Sequence, residues 1–282
     1  MPPRLRQPLI RLATGLLTKP LGRYQRRAPN DLASLRRHIK KGDVILVEGD
    51  QRVSEVIKYL TQSSWSHSAI YIGDELWRTR PQMRKALAAQ FGPDAQNLMV
   101  EAIVEEGVCA SPLSKYIDFN IRVCRPYNLR RDDLQTVLED VIAQIGYRYD
   151  VKNLIDLARY FLPVSLVPRR FRRSALELGS GIPTQVICSS MIARAFQKVR
   201  YPILPEVMPE EAPTPRGMLA WLARRPLPSG PLFRTGPITL TTPRDFDISP
   251  YFEVIKFNIL EEMRFDYRKI RWAEEAKETK AS

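Results

Sequence analysis

The chain has 282 residues and a mass of 32.5 kDa, room for one large domain or two small ones with a buried core. Hydrophobic residues at 44% and charged residues at 27% exclude wholesale disorder and collagen-like repeats. Three cysteines argue against a disulfide framework and for a reduced compartment, and no apolar run approaches the ~20 residues that span a bilayer. The unusual figures are 23 prolines and a net charge of +13, which mark a basic, loop-rich protein.

The basicity belongs to one end. Residues 1–41 carry eleven Lys/Arg against a single acid, Asp31, so this arm supplies +10 of the total. Leu5, Leu9, Leu12 and Leu16, widened by Ile10, Ala13 and Leu17, give it a helical apolar stripe. Arg11 interrupts what would be a secretory apolar core, so export is not expected and a cytoplasmic location is. The preferred expectation is a basic amphipathic segment lying on an anionic membrane surface, at the inner face of a bacterial membrane. An organellar transit segment, a mobile tail or a helix packed on the domain are the other readings of the same residues.

From Lys41 the pattern becomes that of a folded domain. Asp43–Val47 reads as a strand after the Lys41-Gly42 turn, and Val53, Val56, Ile57 and Leu60 as a helix. Ser66–Ile72 reads as a second strand ending at Gly73-Asp74, and residues 81–96 as helix and loop. Leu98–Val104 is a third strand and Ile121–Pro126 a fourth. Leu134, Val137, Leu138, Val141, Ile142 and Ile145 then share a helical face, with Asp132 and Asp133 in the first turn and Gly146 as stop. Asp150–Phe161 continues as helix, 163–183 is a Pro/Arg/Gly loop, and Val186–Val199 is a second amphipathic helix. Residues 202–250 read as an extended Pro-rich wrap and Phe252–Trp272 as a last strand and helix. Strands and helices in separate blocks predict an α+β fold. The expected division is an arm at 1–40, a domain at 41–201 and an extension at 202–282.

Few residues can carry chemistry. Of the two histidines, His38 sits among Arg36, Arg37 and Lys40 and reads as a surface residue. His67 opens a strand with Ala69 and Tyr71 on its face, where a partly buried imidazole must satisfy both nitrogens. Cys124 reads as a core strand residue, and Cys109 stands at a strand end without an activating neighbour. Cys188 lies early in a helix, where amide groups and the dipole favour a thiolate, although it shares an apolar face with Met191, Ile192 and Ala195 as an inert thiol would. Glu101, inside the apolar run Met99–Val104, is a carboxylate that needs a partner. A thiol at a helix start, an imidazole and an orienting carboxylate are the parts of a cysteine hydrolase.

The order of short segments adds a resemblance. Gly42-Asp43, Ser64-Trp65-Ser66-His67, Val100-Glu101-Ala102, Gly107-Val108, Arg125-Pro126, Tyr149-Asp150 and Cys188-Ser189-Ser190 follow one another as in the permuted papain-like amidases of the NlpC superfamily, the YiiX/YaeF-like group. The chain also resembles, more distantly, the lecithin–retinol acyltransferase-like proteins. His67 precedes Cys188 by 121 residues, which matches the permuted order. The resemblance covers about residues 41–200 and implies a permuted papain-like fold, a small antiparallel sheet packed against helices. It implies Cys188 as nucleophile, His67 as general base and Glu101 as the orienting third member. Tyr149, Trp65, Ser66 and Ser189 become the expected substrate-side residues. Relatives of this kind often have an acid soon after the cysteine, where this chain has Ser190, and the stretch from Asp150 to Cys188 is long.

The expectation is therefore a thiol-dependent amidase, peptidase or acyl-ester hydrolase, needing no cofactor and no metal, with a cell-wall peptide or lipid-like acyl substrate. The basic arm and the apolar-then-basic stretch from Leu154 to Arg173 favour the lipid-like one. The alternative is a catalytically silent, membrane-peripheral interaction module of the same fold. Nucleic acid is not an expected partner, since the arm's apolar stripe would be wasted on phosphates and Tyr24 is its one aromatic. No phosphate-binding Gly-rich loop and no Cys-x-x-Cys pattern appears.

Overall fold

The computed structural model describes residues 24–27, 29–103, 106–147, 187–204, 206–208, 232–234 and 241–258. The expectations for the arm's leucine stripe, for Tyr149, for the helix at 150–161 and the loop at 163–183, and for a helix reaching Trp272 lie outside them.

A six-stranded antiparallel sheet organises the described residues. Its strands are β1 (Val44–Glu48), β2 (His67–Gly73), β3 (Leu98–Ile103), β4 (Gly107–Pro112), β5 (Asn120–Pro126) and, after a short separate pair β6 (Glu206–Met208) and β7 (Leu232–Arg234), β8 (Phe252–Ile255). The order across the large sheet is β4-β3-β2-β1-β5-β8. β1 is buried at every position because it lies in the middle with both faces covered. Among the described residues the α-helices are α1 (Leu32–His38), α2 (Arg52–Thr61), α3 (Glu75–Thr79), α4 (Arg84–Phe91), α5 (Arg131–Ala143), α6 (Ile187–Lys198) and α7 (Pro243–Ile248). This is the α+β arrangement that the block pattern predicts.

Alternation along the strands divides the interior in two. On one side Val44, Leu46, Ile70, Ile72, Leu98 and Val100 meet Val137 and Val141 of α5 and Met191, Ile192, Ala195 and Phe196 of α6. On the other, Ile45, Val47, Ala69, Tyr71 and Met99 meet Leu35 and Ile39. Asp31 caps α1 by accepting from the N–H groups of Ala33 and Ser34. The core also draws on Phe246, Phe252 and Phe257 from beyond residue 201, so both outer segments contribute packing to the sheet.

Several elements differ from the sequence reading. β4 was not expected, because Ala110, Ser111 and Pro112 are poor strand formers; pairing with β3 from Leu98↔Pro112 to Ile103↔Gly107 holds it extended. Within the expected wrap, α7 forms at Pro243, where proline's fixed φ suits the first helical position and the Asp245 carboxylate accepts the Thr242 N–H. Among the described residues no helix is long and apolar enough to cross a membrane.

The Gly42-Asp43 and Arg125-Pro126 segments, 82 residues apart, meet in an ion pair at the end of the sheet where β1 begins. Arg125 donates to both Asp43 oxygens, Nε at 2.9 Å and a terminal nitrogen at 2.7 Å, and to the His38 carbonyl at 2.6 Å. Burial outweighs these bonds and lifts the Asp43 carboxyl above its ordinary pKa. Such a pair adds little over an apolar replacement of both partners, but breaking it strands a buried charge. Arg125→Met is expected to lower stability by about 3–5 kcal/mol in a urea unfolding titration; a loss under about 1 kcal/mol would show that Asp43 finds other relief.

Candidate active site

The site forms where β2 starts. The Ser66 N–H donates to the Val47 carbonyl at 3.0 Å and His67 stands opposite Val47, which fixes the first residue of the strand. Ala69 is directly opposite Glu101 on β3, so His67, two residues earlier on the same face, lies diagonal to that acid. His67 Nε2 is 2.7 Å from Glu101 Oε2.

Glu101 is fully buried, with 0% exposure. The Lys115 ammonium donates to Oε1 at 2.6 Å and the Tyr116 hydroxyl to Oε2 at 2.6 Å. Burial by itself would raise the carboxyl pKa; His67 and Lys115 overcome it and hold the group well below the usual carboxylate range. The Tyr116 ring lies 5.8 Å from the imidazole, and its phenol is pushed far up by burial and by the Glu101 charge.

Cys188 is the second residue of α6, on the apolar face that the helix turns to the sheet, and is 8% exposed. His67 and Ser68 are the groups close enough to act on its thiol. The Ser68 hydroxyl is buried without a hydrogen-bond partner among the described residues. With Nε2 held by Glu101, Nδ1 is the nitrogen left for the thiol. Burial would raise the thiol pKa, but His67 and Ser68 bring it down to about 7. Burial would likewise lower the imidazole, but the Cys188 and Glu101 partners raise it to about 10. Each partner thus favours the charged form of the other, and their titration is that of a pair.

The other cysteines lack this setting. Cys109 faces Glu101 across the β3–β4 ladder, and burial and that charge push its thiol up to about 11. Cys124 is fully buried and, mainly through burial, pushed up to about 12. His38, expected at the surface, is half-buried, its Nδ1 2.8 Å from the Ser34 carbonyl.

Trp65, Ser66 and Ser189 stand beside these residues with their polar atoms turned into the scaffold. Trp65 Nε1 donates to Asp247 of α7 at 2.9 Å, and the Arg122 guanidinium lies 5.1 Å over the indole while pairing with the same Asp247. The Ser66 hydroxyl accepts from the Gly49 N–H at 2.9 Å, and the Ser189 hydroxyl donates to the Thr241 carbonyl at 3.0 Å. Sequence reasoning missed Lys115, Tyr116, Ser68 and Asp247. The only hint to the first two was the rule that a buried acid demands a cation and donors. Among the described residues no three His, Cys, Asp or Glu side chains converge as a metal site would need.

The arrangement is competent for nucleophilic attack on a carbonyl, with a poised thiol, a proton carrier and an acid that orients it. No curated protein sequence matches the chain. Among solved structures it is similar to YiiX from Escherichia coli O157:H7, described as a metalloprotein, at 16% identity and a TM-score of 0.43 over 78% of this chain and 97% of that one. The family sequence model described as permuted papain-like amidase enzyme, YaeF/YiiX, C92 family, matches residues 38–174, a stretch that contains His67 and Glu101 and ends before Cys188. Over residues 38–174 the chain is therefore similar to the permuted papain-like amidases.

Proposed function

We propose that the protein is a thiol hydrolase acting on an amide or ester, with Cys188 as nucleophile, His67 as proton carrier and Glu101 as the group that orients His67. The observation that carries this reading is an imidazole held at 2.7 Å by a fully buried carboxylate and coupled electrostatically to the Cys188 thiol. The thiolate attacks the carbonyl carbon, and the carbonyl electrons move onto oxygen. The backbone N–H of Cys188, near the start of α6 as described, is the donor that oxygen would meet. As the bond to the leaving amine or alcohol breaks, imidazolium gives it a proton. Water then attacks the thioester, His67 takes a proton from the water, and the thiolate leaves a carboxylic acid behind.

For the substrate we favour a lipid-like acyl group over a cell-wall peptide, at a membrane reached through the basic arm. Support comes from how the chain enters the domain. The Asn120 N–H donates to the Tyr24 hydroxyl, Arg26 pairs with Asp118 at 2.8 Å, and Asn30 donates to the Phe119 carbonyl at 2.6 Å. Phe119 meets the Tyr116 ring edge-on at 5.5 Å, so the arm joins the domain beside the Tyr116 side of the site. An arm lying on anionic lipid would hold that side at the surface.

The test is turnover of a long-chain acyl nitrophenyl ester and of a peptide nitroanilide, with and without vesicles of phosphatidylglycerol. Ester turnover is expected to rise with pH through about 7, as the thiol ionises, and to fall through about 10, as His67 loses the proton that the leaving group needs. Vesicles should raise it, less so in high salt and not after deletion of residues 1–23. Preference for the nitroanilide without vesicles would favour the peptide. No turnover of either, with an unreactive Cys188, would favour a silent interaction module.

A further inference from the structure

The structure assigns a fourth charge to this site. Glu101 holds two basic side chains at once, Lys115 on Oε1 and His67 on Oε2. We propose that Lys115 is a positioning residue: its ammonium, shared with His67 on one buried carboxylate, makes the set of Cys188 thiolate, His67 imidazolium, Glu101 and Lys115 neutral as a whole, so that the reactive ion pair can exist under cover of the protein. The inference rests on the thiol-hydrolase reading above.

The charge balance argues for it. Without Lys115 the set carries one net negative charge at a carboxylate with 0% exposure, where unbalanced charge is costly. Lys115 reaches in from the short turn Leu113–Tyr116, its side chain 34% exposed and its ammonium 5.2 Å from the Tyr116 ring centroid. Among the described residues the other titratable groups facing the set are neutral. Tyr116 from the same turn and Cys109 on β4 are both held protonated by burial and by Glu101. Glu106 acts on Cys109 from its exposed position before β4, α6 brings no acid in its first turn, and Asp247 of α7 is engaged by Trp65 and Arg122.

A net-charge role has a signed consequence. Each step in the titration of the Cys188–His67 pair removes one positive charge from the site, whichever group loses the proton. Deleting Lys115's charge makes the site more negative and moves both steps to higher pH; deleting Glu101's charge moves both to lower pH.

The test is the pH dependence of Cys188 carboxamidomethylation by iodoacetamide, read by mass spectrometry on the full chain. Lys115→Met is expected to shift both steps up by about 0.5–1 unit, Glu101→Gln to shift them down, and the double variant to return toward wild type. Lys115→Arg should keep the wild-type profile. Lys115→Gln keeps a hydrogen-bond donor without the charge and should shift as Lys115→Met does, which covers the case in which the methionine variant does not fold. A purely structural lysine would lower the melting temperature and leave the profile where it was. Unmoved steps in both charge-deleting variants, or a double variant that matches Glu101→Gln, would overturn the inference alone. A wild-type Cys188 with no ionisation step at all would overturn the thiol reading beneath it.

Discussion

Iodoacetamide at pH 7 is expected to alkylate Cys188 about 10–100 times faster than Cys109, with Cys124 slower still. With its pKa lowered to about 7, half of Cys188 is thiolate at that pH, whereas a thiol pushed up to about 11 is ionised to roughly one part in 10⁴. The more basic thiolate is intrinsically the stronger nucleophile, and with a Brønsted slope of about 0.4–0.5 four units return roughly 10²-fold. About 10²-fold remains for Cys188, and its 8% exposure against the half-buried Cys109 takes part of that away. Cys124 is fully buried and its thiol is pushed up to about 12. Peptide mapping after a timed quench reads all three rates in one sample. Equal rates, or Cys109 ahead, would remove Cys188 from the nucleophile's role. In the ester assay Cys188→Ala should lose turnover by on the order of 10⁴ or more, because nucleophile and base act as a unit.

The second large effect belongs to Glu101. Glu101→Ala leaves the Lys115 ammonium, the Tyr116 hydroxyl and His67 Nε2 without their shared acceptor, which is itself 0% exposed. Removing one partner of a buried charged set costs about 3–5 kcal/mol, roughly 10 °C in melting temperature for a domain of this size. Glu101→Gln keeps the shape and one acceptor, so it should cost less while still narrowing the use of His67. The acid limb of stability has a definite sign. A carboxyl depressed below its ordinary value of 4.5 contributes stability that is complete above that value and is lost as pH falls below it toward the folded-state pKa. Wild type should therefore lose stability steeply below about pH 4.5, and Glu101→Gln should lack that share of the loss. A Glu101→Ala variant as stable as wild type, with an unchanged ester rate, would show that neither the fold nor His67 depends on the carboxylate.

Local structure was legible in the residues themselves. Apolar runs closed by turn residues marked β2 and β3, and the spacing of Cys188, Met191, Ile192 and Ala195 marked the buried face of α6, because burial of a regular element leaves its pattern in the chain. The same logic made Glu101 conspicuous, since a charge in an apolar strand announces that a partner exists. It could not say which partner. That was decided by register: Ala69 opposite Glu101 puts His67 on the diagonal, and the turn after β4 swings Lys115 and Tyr116 over the same carboxylate. Asp43 with Arg125, Trp65 with Asp247 and Cys188 with Ser68 are likewise pairs between distant elements. β4 itself existed only once β3 offered it a ladder, as its own residues prefer other conformations. Periodicity records which face of an element is buried, but not what it is buried against; the partners come from strand pairing and helix docking, which bring together residues that the chain holds far apart.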